Sequence, residues 1–259
     1  MIVKLSRLVY VLYAVSLFVV IMLLILPFVF LSSFFGRIKG GNVIIRLCMI
    51  WADIWFFLVA IRHRNEYEVQ HDKSKSYIFV SNHISFLDAA LLVKTFRQSF
   101  RPLGKVEMTK VPIFGYIYQK AIVTVDRSNA EDRAKSVRIL KSIINKGISI
   151  MVFPEGTFNY SSEPLKGFYD GAFKVALETQ TPIKPVLFLD AYDRMHYSSL
   201  LSLNPGKNRS VYLAEIPIEV FLPDDVDGLK KKVMEVMDQK LREYKASWIK
   251  TNDNKAQLN

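Results

Sequence analysis

Apolar positions are gathered at the start of the chain and later give way to short apolar runs alternating with amphipathic segments. Residues 8–31 contain no charged side chain, which is long enough for one helix to cross a hydrocarbon core of about 30 Å. A second apolar stretch, residues 43–61, is broken by Arg46 and Asp53 and carries Trp51, Trp55, Phe56 and Phe57. Isolated charges among clustered aromatic rings suit a helix lying at a membrane interface better than one crossing it. Pro27 and the glycines of residues 36–41 allow a turn between the two stretches. The pair therefore reads as a span followed by an interfacial helix, or as a re-entrant hairpin entering one leaflet. Lys4 and Arg7 precede the first stretch and Arg37 and Lys39 follow it; basic flanks on both sides favour the hairpin, with both ends cytoplasmic. A cleaved signal peptide fits less well, because the run is too long and no small-x-small site follows it.

Beyond this point the polar stretch 62–76 reads as a link. Strand-like runs then fall at residues 77–80, 121–125, 148–153, 183–189 and 211–220, and helical patterns at 88–96, 130–145 and 171–179. Alternation of this kind predicts an α/β fold, a sheet with helices packed on it. In the second of these helices Glu131, Asp132, Arg133, Lys135 and Arg138 form a solvated face opposite Val137, Leu140, Ile143 and Ile144. A last helix is predicted over 225–248, where Val226, Leu229, Val233, Met237, Leu241, Tyr244 and Trp248 recur every three or four residues. The expected organisation is a membrane helix pair over 1–64 and a catalytic domain over 65–259.

Composition sharpens this. The hydrophobic share of 51% over 259 residues and mean hydropathy of +0.17 are high, and the excess lies in the first quarter of the chain. The net charge of +11 invites a nucleic-acid partner, but no helix-turn-helix, zinc-finger or aromatic-basic RNA signature is present. Lys4, Arg7, Arg37, Lys39, Arg46, Arg62 and Arg64 stand against Asp53 alone in the first 65 residues, beside membrane-seeking segments. An anionic lipid surface is the better partner. Cys48 is the only cysteine, so no intrachain disulfide can form. His63, His71 and His196 lack metal-ligand spacing and read as surface or interfacial residues, so no metal is expected.

The chemistry concentrates in two stretches. Ser81-Asn82-His83-Ile84-Ser85-Phe86-Leu87-Asp88 follows the strand-like Tyr77-Ile78-Phe79-Val80. His83 is thus placed at a strand's carboxyl end and Asp88 in the first turn of the next helix. One loop brings them together, so the carboxylate can accept from one imidazole nitrogen and leave the other as a general base. A helix cap at Asp88 beside an incidental histidine is the plainer alternative. Phe153-Pro154-Glu155-Gly156-Thr157 also follows a strand, and Gly156 allows close backbone approach to a ligand; a simple Pro-Glu-Gly turn is the alternative there. No protein nucleophile has a signature such as G-x-S-x-G, so a substrate hydroxyl or amine is the expected attacking group.

Asn82-His83-x-x-x-x-Asp88 and Phe153-Pro154-Glu155-Gly156-Thr157 resemble the first and third motifs of the glycerolipid acyltransferases, the lysophosphatidate acyltransferase family. Lys105-Val106-Glu107-Met108, with Pro112, Gly115 and a strand running into Asp126-Arg127, resembles the second, and Thr181-Pro182-Ile183-Lys184-Pro185-Val186 the fourth. Lys166 followed by Gly171-Ala172-Phe173 is similar to the segment after the third. Four blocks in order, over residues 65–220, outweigh the plainer readings. The resemblance implies a mixed sheet flanked by helices, with an N-terminal membrane-associated element. It implies acyl transfer from acyl-carrier protein or coenzyme A thioester to the sn-2 hydroxyl of 1-acylglycerol 3-phosphate, giving phosphatidate, without a cofactor. His83 and Asp88 would be catalytic; Asn82, Lys105, Arg127, Glu155, Gly156 and Thr157 would bind substrate, with Glu155 and its neighbours on the glycerol or phosphate portion and Lys105 and Arg127 on the phosphate. The expected place is the cytoplasmic face of a bacterial inner membrane. Another lyso-lipid acceptor such as lyso-ornithine lipid, a lipid hydrolase, and a non-catalytic lipid-binding protein are the alternatives.

Overall fold

The computed structural model of the chain describes residues 2–126 and 129–250. Helix α1 (Ile2–Ser33) runs through Pro27 without a break. A π-helical turn (Gly36–Gly40) reverses the chain, and α2 (Gly41–Leu58) returns alongside. Tyr10 Oη donates to the Val59 carbonyl (2.7 Å), Trp55 Nε1 to Ala14 (2.8 Å) and Trp51 Nε1 to Phe18 (3.3 Å). The partners advance in opposite directions, so the two helices form an antiparallel hairpin.

Seven strands make one sheet: β1 (Ile61–Tyr67), β2 (Ile78–Val80), β3 (Phe100–Lys105), β4 (Val123–Val125), β5 (Ser149–Val152), β6 (Ile183–Phe188) and β7 (Gly206–Tyr212). Their order is β1-β7-β6-β2-β5-β3-β4. Every pairing is parallel except β6 with β7, so the sheet is mixed. The helices are α3 (Asp88–Thr95), α4 (Phe114–Ala121), α5 (Ala130–Ile144), α6 (Gly171–Thr179), the short α7 (Ala191–Arg194) and α8 (Val226–Glu243). One group, α2, α3 and α4, packs together, and α5, α6 and α8 form another, with α8 against β6.

Both ends of α1 touch the α/β domain. At the start, Arg7 donates to the Ser202 carbonyl (2.8 Å); at the end, Ser33 Oγ meets Tyr116 Oη of α4 (3.3 Å). Twenty-six residues of helix separate these contacts, about 39 Å, so α1 lies along the domain and does not project from it. By length and composition both Leu5–Ser33 and Gly36–Leu58 could cross a membrane. A span, however, would carry one end of α1 about 30 Å away from the domain.

Several expectations are corrected. The stretch 62–76 is no simple link, since β1 occupies its first part and the boundary expected at residue 64 falls inside that strand. The strand expected over 211–220 is β7, which begins at Gly206 and ends at Tyr212; of the later residues, Ile216 keeps one isolated bridge to Ile183. The cause is shared. Inward positions of β1 and β7 are polar: His63 bonds Asn65 and Asn208 (2.8 Å each), Asn65 bonds the Thr95 carbonyl (2.8 Å), and Thr95 meets Ser210 (3.0 Å). A sheet interior closed by side-chain hydrogen bonds has no apolar alternation to read. His63 accordingly lies inside the fold, and burial holds its imidazole down at about 4. β3 was hidden by Pro102 and Gly104. Ala121 ends α4 and does not start β4. The last helix ends at Glu243, capped at its start by Asp225, whose Oδ1 accepts from Gly228 N (2.9 Å).

Candidate active site

β2 and β5 are parallel neighbours in register, Val80 beside Val152. Both release their loops at the same carboxyl edge, where ligand crevices form in such sheets. His83 follows the first strand by three residues and Phe153 the second by one, and Lys105 ends β3 on the same edge. Sequence motifs seventy residues apart thus become adjacent loops.

Asp88 is fully buried. Its Oδ2 accepts from His83 Nδ1 (2.8 Å), Ile84 N (2.8 Å) and Ser85 N (3.0 Å). The carboxylate closes the loop before α3 and orients the imidazole; among the described residues it caps no amide of α3, so the helix-cap reading does not hold. With Nδ1 donating to Asp88, Nε2 is the basic nitrogen and makes no hydrogen bond among the described residues. The imidazole stacks on Phe153, with centroids 4.1 Å apart and planes at 11°, and meets the edge of Phe158 at 4.4 Å. These rings hold the imidazole plane and limit water around it. The phenylalanine at 158 and its contact with His83 carried no recognisable sequence signal.

Glu155, expected to contact the acceptor, has its carboxylate turned to the main chain. It is fully buried, and both carboxylate oxygens are engaged by main chain: Oε1 accepts from His83 N (2.9 Å) and Oε2 from Lys166 N (3.0 Å). Burial raises its carboxyl to about 7, against the pull of the Lys166 and His83 amides. Asn82 is likewise turned inward. Its Nδ2 donates to the Phe188 carbonyl (3.0 Å) and its Oδ1 accepts from Phe188 N (2.8 Å), so it extends the sheet pairing from β2 to β6. The His83 carbonyl in turn accepts from Asn159 N (2.8 Å). The histidine's main chain is held from both sides by the loop that follows β5.

Gly156 and Thr157 do line the cavity described below. Gly156 adopts φ +75°, the left-handed region that glycine enters without steric cost, and this turns the loop back toward His83. Lys166 Nζ donates to Thr157 Oγ1. That places Lys166 behind Thr157 and clear of the cavity wall.

The cavity holds about 530 Å³ and is walled mainly by apolar side chains. His83, Phe158, Gly156 and Thr157 form one end of its lining; Phe18, Met22 and Ile25 of α1, and Ile45, Cys48 and Trp51 of α2, supply a wall that no motif announces. Lys105 also lines it, is exposed, and forms no ion pair among the described residues. Arg127, expected to join it, lies outside the described residues. Among the described residues no group of three or more His, Cys, Asp or Glu side chains could hold a metal ion.

The mixed sheet flanked by helices has a counterpart among solved structures. The crystal structure of the 1-acyl-sn-glycerophosphate (LPA) acyltransferase PlsC from Thermotoga maritima superposes with a TM-score of 0.77 at 24% identity, covering 95% of this chain and 99% of that one. A family model described as Acyltransferase matches residues 60–189. An uncharacterized acyltransferase of Schizosaccharomyces pombe is 30% identical over 233 residues, 83% of this chain and 81% of its own length. The 1-acyl-sn-glycerol-3-phosphate acyltransferase alpha of Homo sapiens is 26% identical over 212 residues, 80% of this chain and 73% of its own. The chain belongs to the acyltransferase family, an enzyme class.

Proposed function

We propose that the chain transfers a fatty acyl group from an acyl-carrier protein or coenzyme A thioester to the sn-2 hydroxyl of 1-acylglycerol 3-phosphate. The observation that carries this reading is the 2.8 Å contact of His83 Nδ1 with buried Asp88, beside an apolar cavity of about 530 Å³. His83 Nε2 takes the proton of the acceptor hydroxyl as its oxygen attacks the thioester carbonyl. The tetrahedral intermediate collapses, the carbon–sulfur bond breaks, and the departing sulfur receives that proton from the imidazolium. Asp88 stabilises the transient positive charge, as the carboxylate of a Ser-His-Asp triad does, with the lipid hydroxyl in place of serine. Thioester cleavage is downhill, so neither nucleotide nor metal is required. Lys105 at the cavity lining supports a phosphate-bearing acceptor. The contacts of both α1 ends with the domain support attachment to a single leaflet, and the basic residues on both flanks of the apolar run support its cytoplasmic side.

The test is acyl transfer by the membrane-bound protein with 1-acylglycerol 3-phosphate and lyso-ornithine lipid as rival acceptors, and with both thioesters as donors. Phosphatidate should form, and His83→Ala should lower turnover by about a hundred- to ten-thousand-fold while the protein still reaches membranes. Near-normal turnover in that variant would sink the mechanism. Equal use of the phosphate-free acceptor would move the reading to the aminolipid, and release of fatty acid without acceptor would move it to a hydrolase.

A further inference from the structure

The end of the molecule where α1 begins and α2 stops carries a charge pattern that acyl transfer does not use. The chain leaves α2 at Leu58 and enters β1 at Ile61, which pairs in parallel with β7, Arg62 opposite Lys207 and Arg64 opposite Arg209. Register partners project to the same side of a sheet, and Ile61 and His63 point inward, so these four cations share the outward face. Arg209 is neutralised by Asp190, Nε and Nη2 each donating at 2.9 Å. Arg62, Arg64 and Lys207 are exposed and form no ion pair among the described residues. Like charges placed opposite one another destabilise a sheet unless something outside the protein balances them.

Two more arginines at this end are held by main-chain carbonyls. Arg194 donates to the Pro205 carbonyl, and its buried Nε has no hydrogen-bond partner among the described residues. Arg7 of α1 donates to Ser202 (2.8 Å). That serine ends a short 3-10 turn whose Leu200 and Leu201 are each 56% exposed. The turn thus sits at the start of α1, whose outward row there includes the exposed Leu5, Leu8 and Leu12. Exposed leucines beside unneutralised cations match the boundary between acyl chains and acidic head groups.

We propose that Arg62, Arg64 and Lys207, with the Leu200–Leu201 turn, dock this edge on the anionic head-group layer of a phospholipid bilayer. The proposal rests on the single-leaflet reading above. An acidic protein would match the cations but would leave the exposed leucines of the turn and of the start of α1 without a purpose.

The full chain would be sedimented with vesicles of phosphatidylcholine, with and without phosphatidylglycerol. In the Arg62→Gln, Arg64→Gln, Lys207→Gln triple variant, partition onto phosphatidylglycerol vesicles should fall about a hundredfold, at about fivefold per basic residue. Binding to phosphatidylcholine alone, which α1 supports, should not change, nor should thermal stability or turnover of lyso-lipid presented in detergent micelles. Leu200→Ser with Leu201→Ser should weaken binding to both vesicle types. Unchanged partition of the triple variant onto anionic vesicles overturns the proposal and leaves the membrane reading intact. So does normal vesicle binding with a selective loss of transfer from acyl-carrier protein, which would assign the edge to an acidic protein. Failure of the unaltered protein to bind either vesicle overturns both readings.

Discussion

Replacing Glu155 by glutamine separates a residue that holds the catalytic loop from one that holds the acceptor. The carboxylate accepts from His83 N at 2.9 Å and from Lys166 N at 3.0 Å. A glutamine of the same shape keeps one of these bonds and turns its amide donor toward the other N–H. One buried donor left unpaired costs about 1–3 kcal/mol. The opposing effect is relief of a buried charge, and it depends on pH. Burial raises the folded carboxyl to about 7 from 4.5, so between those values the folded protein binds more protons than the unfolded chain. Stability of the unaltered protein should therefore decline as pH rises through this window, by about 3 kcal/mol in all at roughly 1.4 kcal/mol per unit. The variant has no such titration. It should melt below the parent near pH 5, and the gap should close or reverse by pH 8. In kinetics, release of the His83 main chain should lower kcat by about tenfold to a hundredfold, since a shift of about 1 Å in a catalytic group has that effect. KM for the lyso-lipid should stay within about threefold, because no contact with the acceptor is lost. Melting curves across pH with steady-state kinetics on both substrates decide the matter. A large rise in KM for the lyso-lipid at unchanged kcat, with a flat pH–stability profile in the parent, would refute the positioning role.

Asp88→Asn keeps the shape but leaves the His83, Ile84 and Ser85 donors with a neutral acceptor; kcat should drop by about a hundredfold to ten-thousandfold with the fold retained by circular dichroism. Gly104→Ala would drive a methyl group into the Tyr118 ring, which lines the cavity. Across a series of acyl donors, transfer of the longest chains should fall more than that of the shortest. Deleting residues 2–33 removes the partners of the Trp51 and Trp55 indoles and the wall formed by Phe18, Met22 and Ile25. The shortened chain should leave the membrane fraction on carbonate washing and lose long-chain activity, yet still show the α/β domain's circular dichroism.

The His83–Asp88 pair was legible because everything that makes it is local: an apolar strand, a loop of a few residues, and a carboxylate in the first turn of α3. Glu155 and Asn82 were legible as neighbours of the site but not in their direction. A motif places a residue near a ligand without saying whether its side chain points to the ligand or to the main chain that frames it. β1 and the start of β7 were hidden for a different reason. Their inward side chains, His63, Asn65, Asn208 and Ser210, satisfy one another, so the hydrophobic alternation that marks a half-buried strand is missing. The cavity could not be read at all, because its walls come from α1, α2, α3, α4, β3 and loops that meet only in the folded chain.

The first helix looks like a membrane span because it is apolar all round, which usually means hydrocarbon or protein core on every side. Here the uniformity has two causes. Phe18, Met22 and Ile25 face the cavity, and Ala14 and Val11 are buried, while Leu12, Val15, Val19 and Leu23 are more than one-third exposed on the outer surface. One face lines the space for an acyl chain, and the other is free to lie among lipids. Drawing a chain of about fifteen methylenes through water would cost on the order of 12 kcal/mol, at about 0.8 kcal/mol per methylene. A helix that is at once cavity wall and lipid-facing surface lets the acceptor's chain pass between two apolar surroundings without that exposure. On this reading α1 is part of the binding site as much as an anchor, and its apolar outer row is needed for the same reason as its inner one.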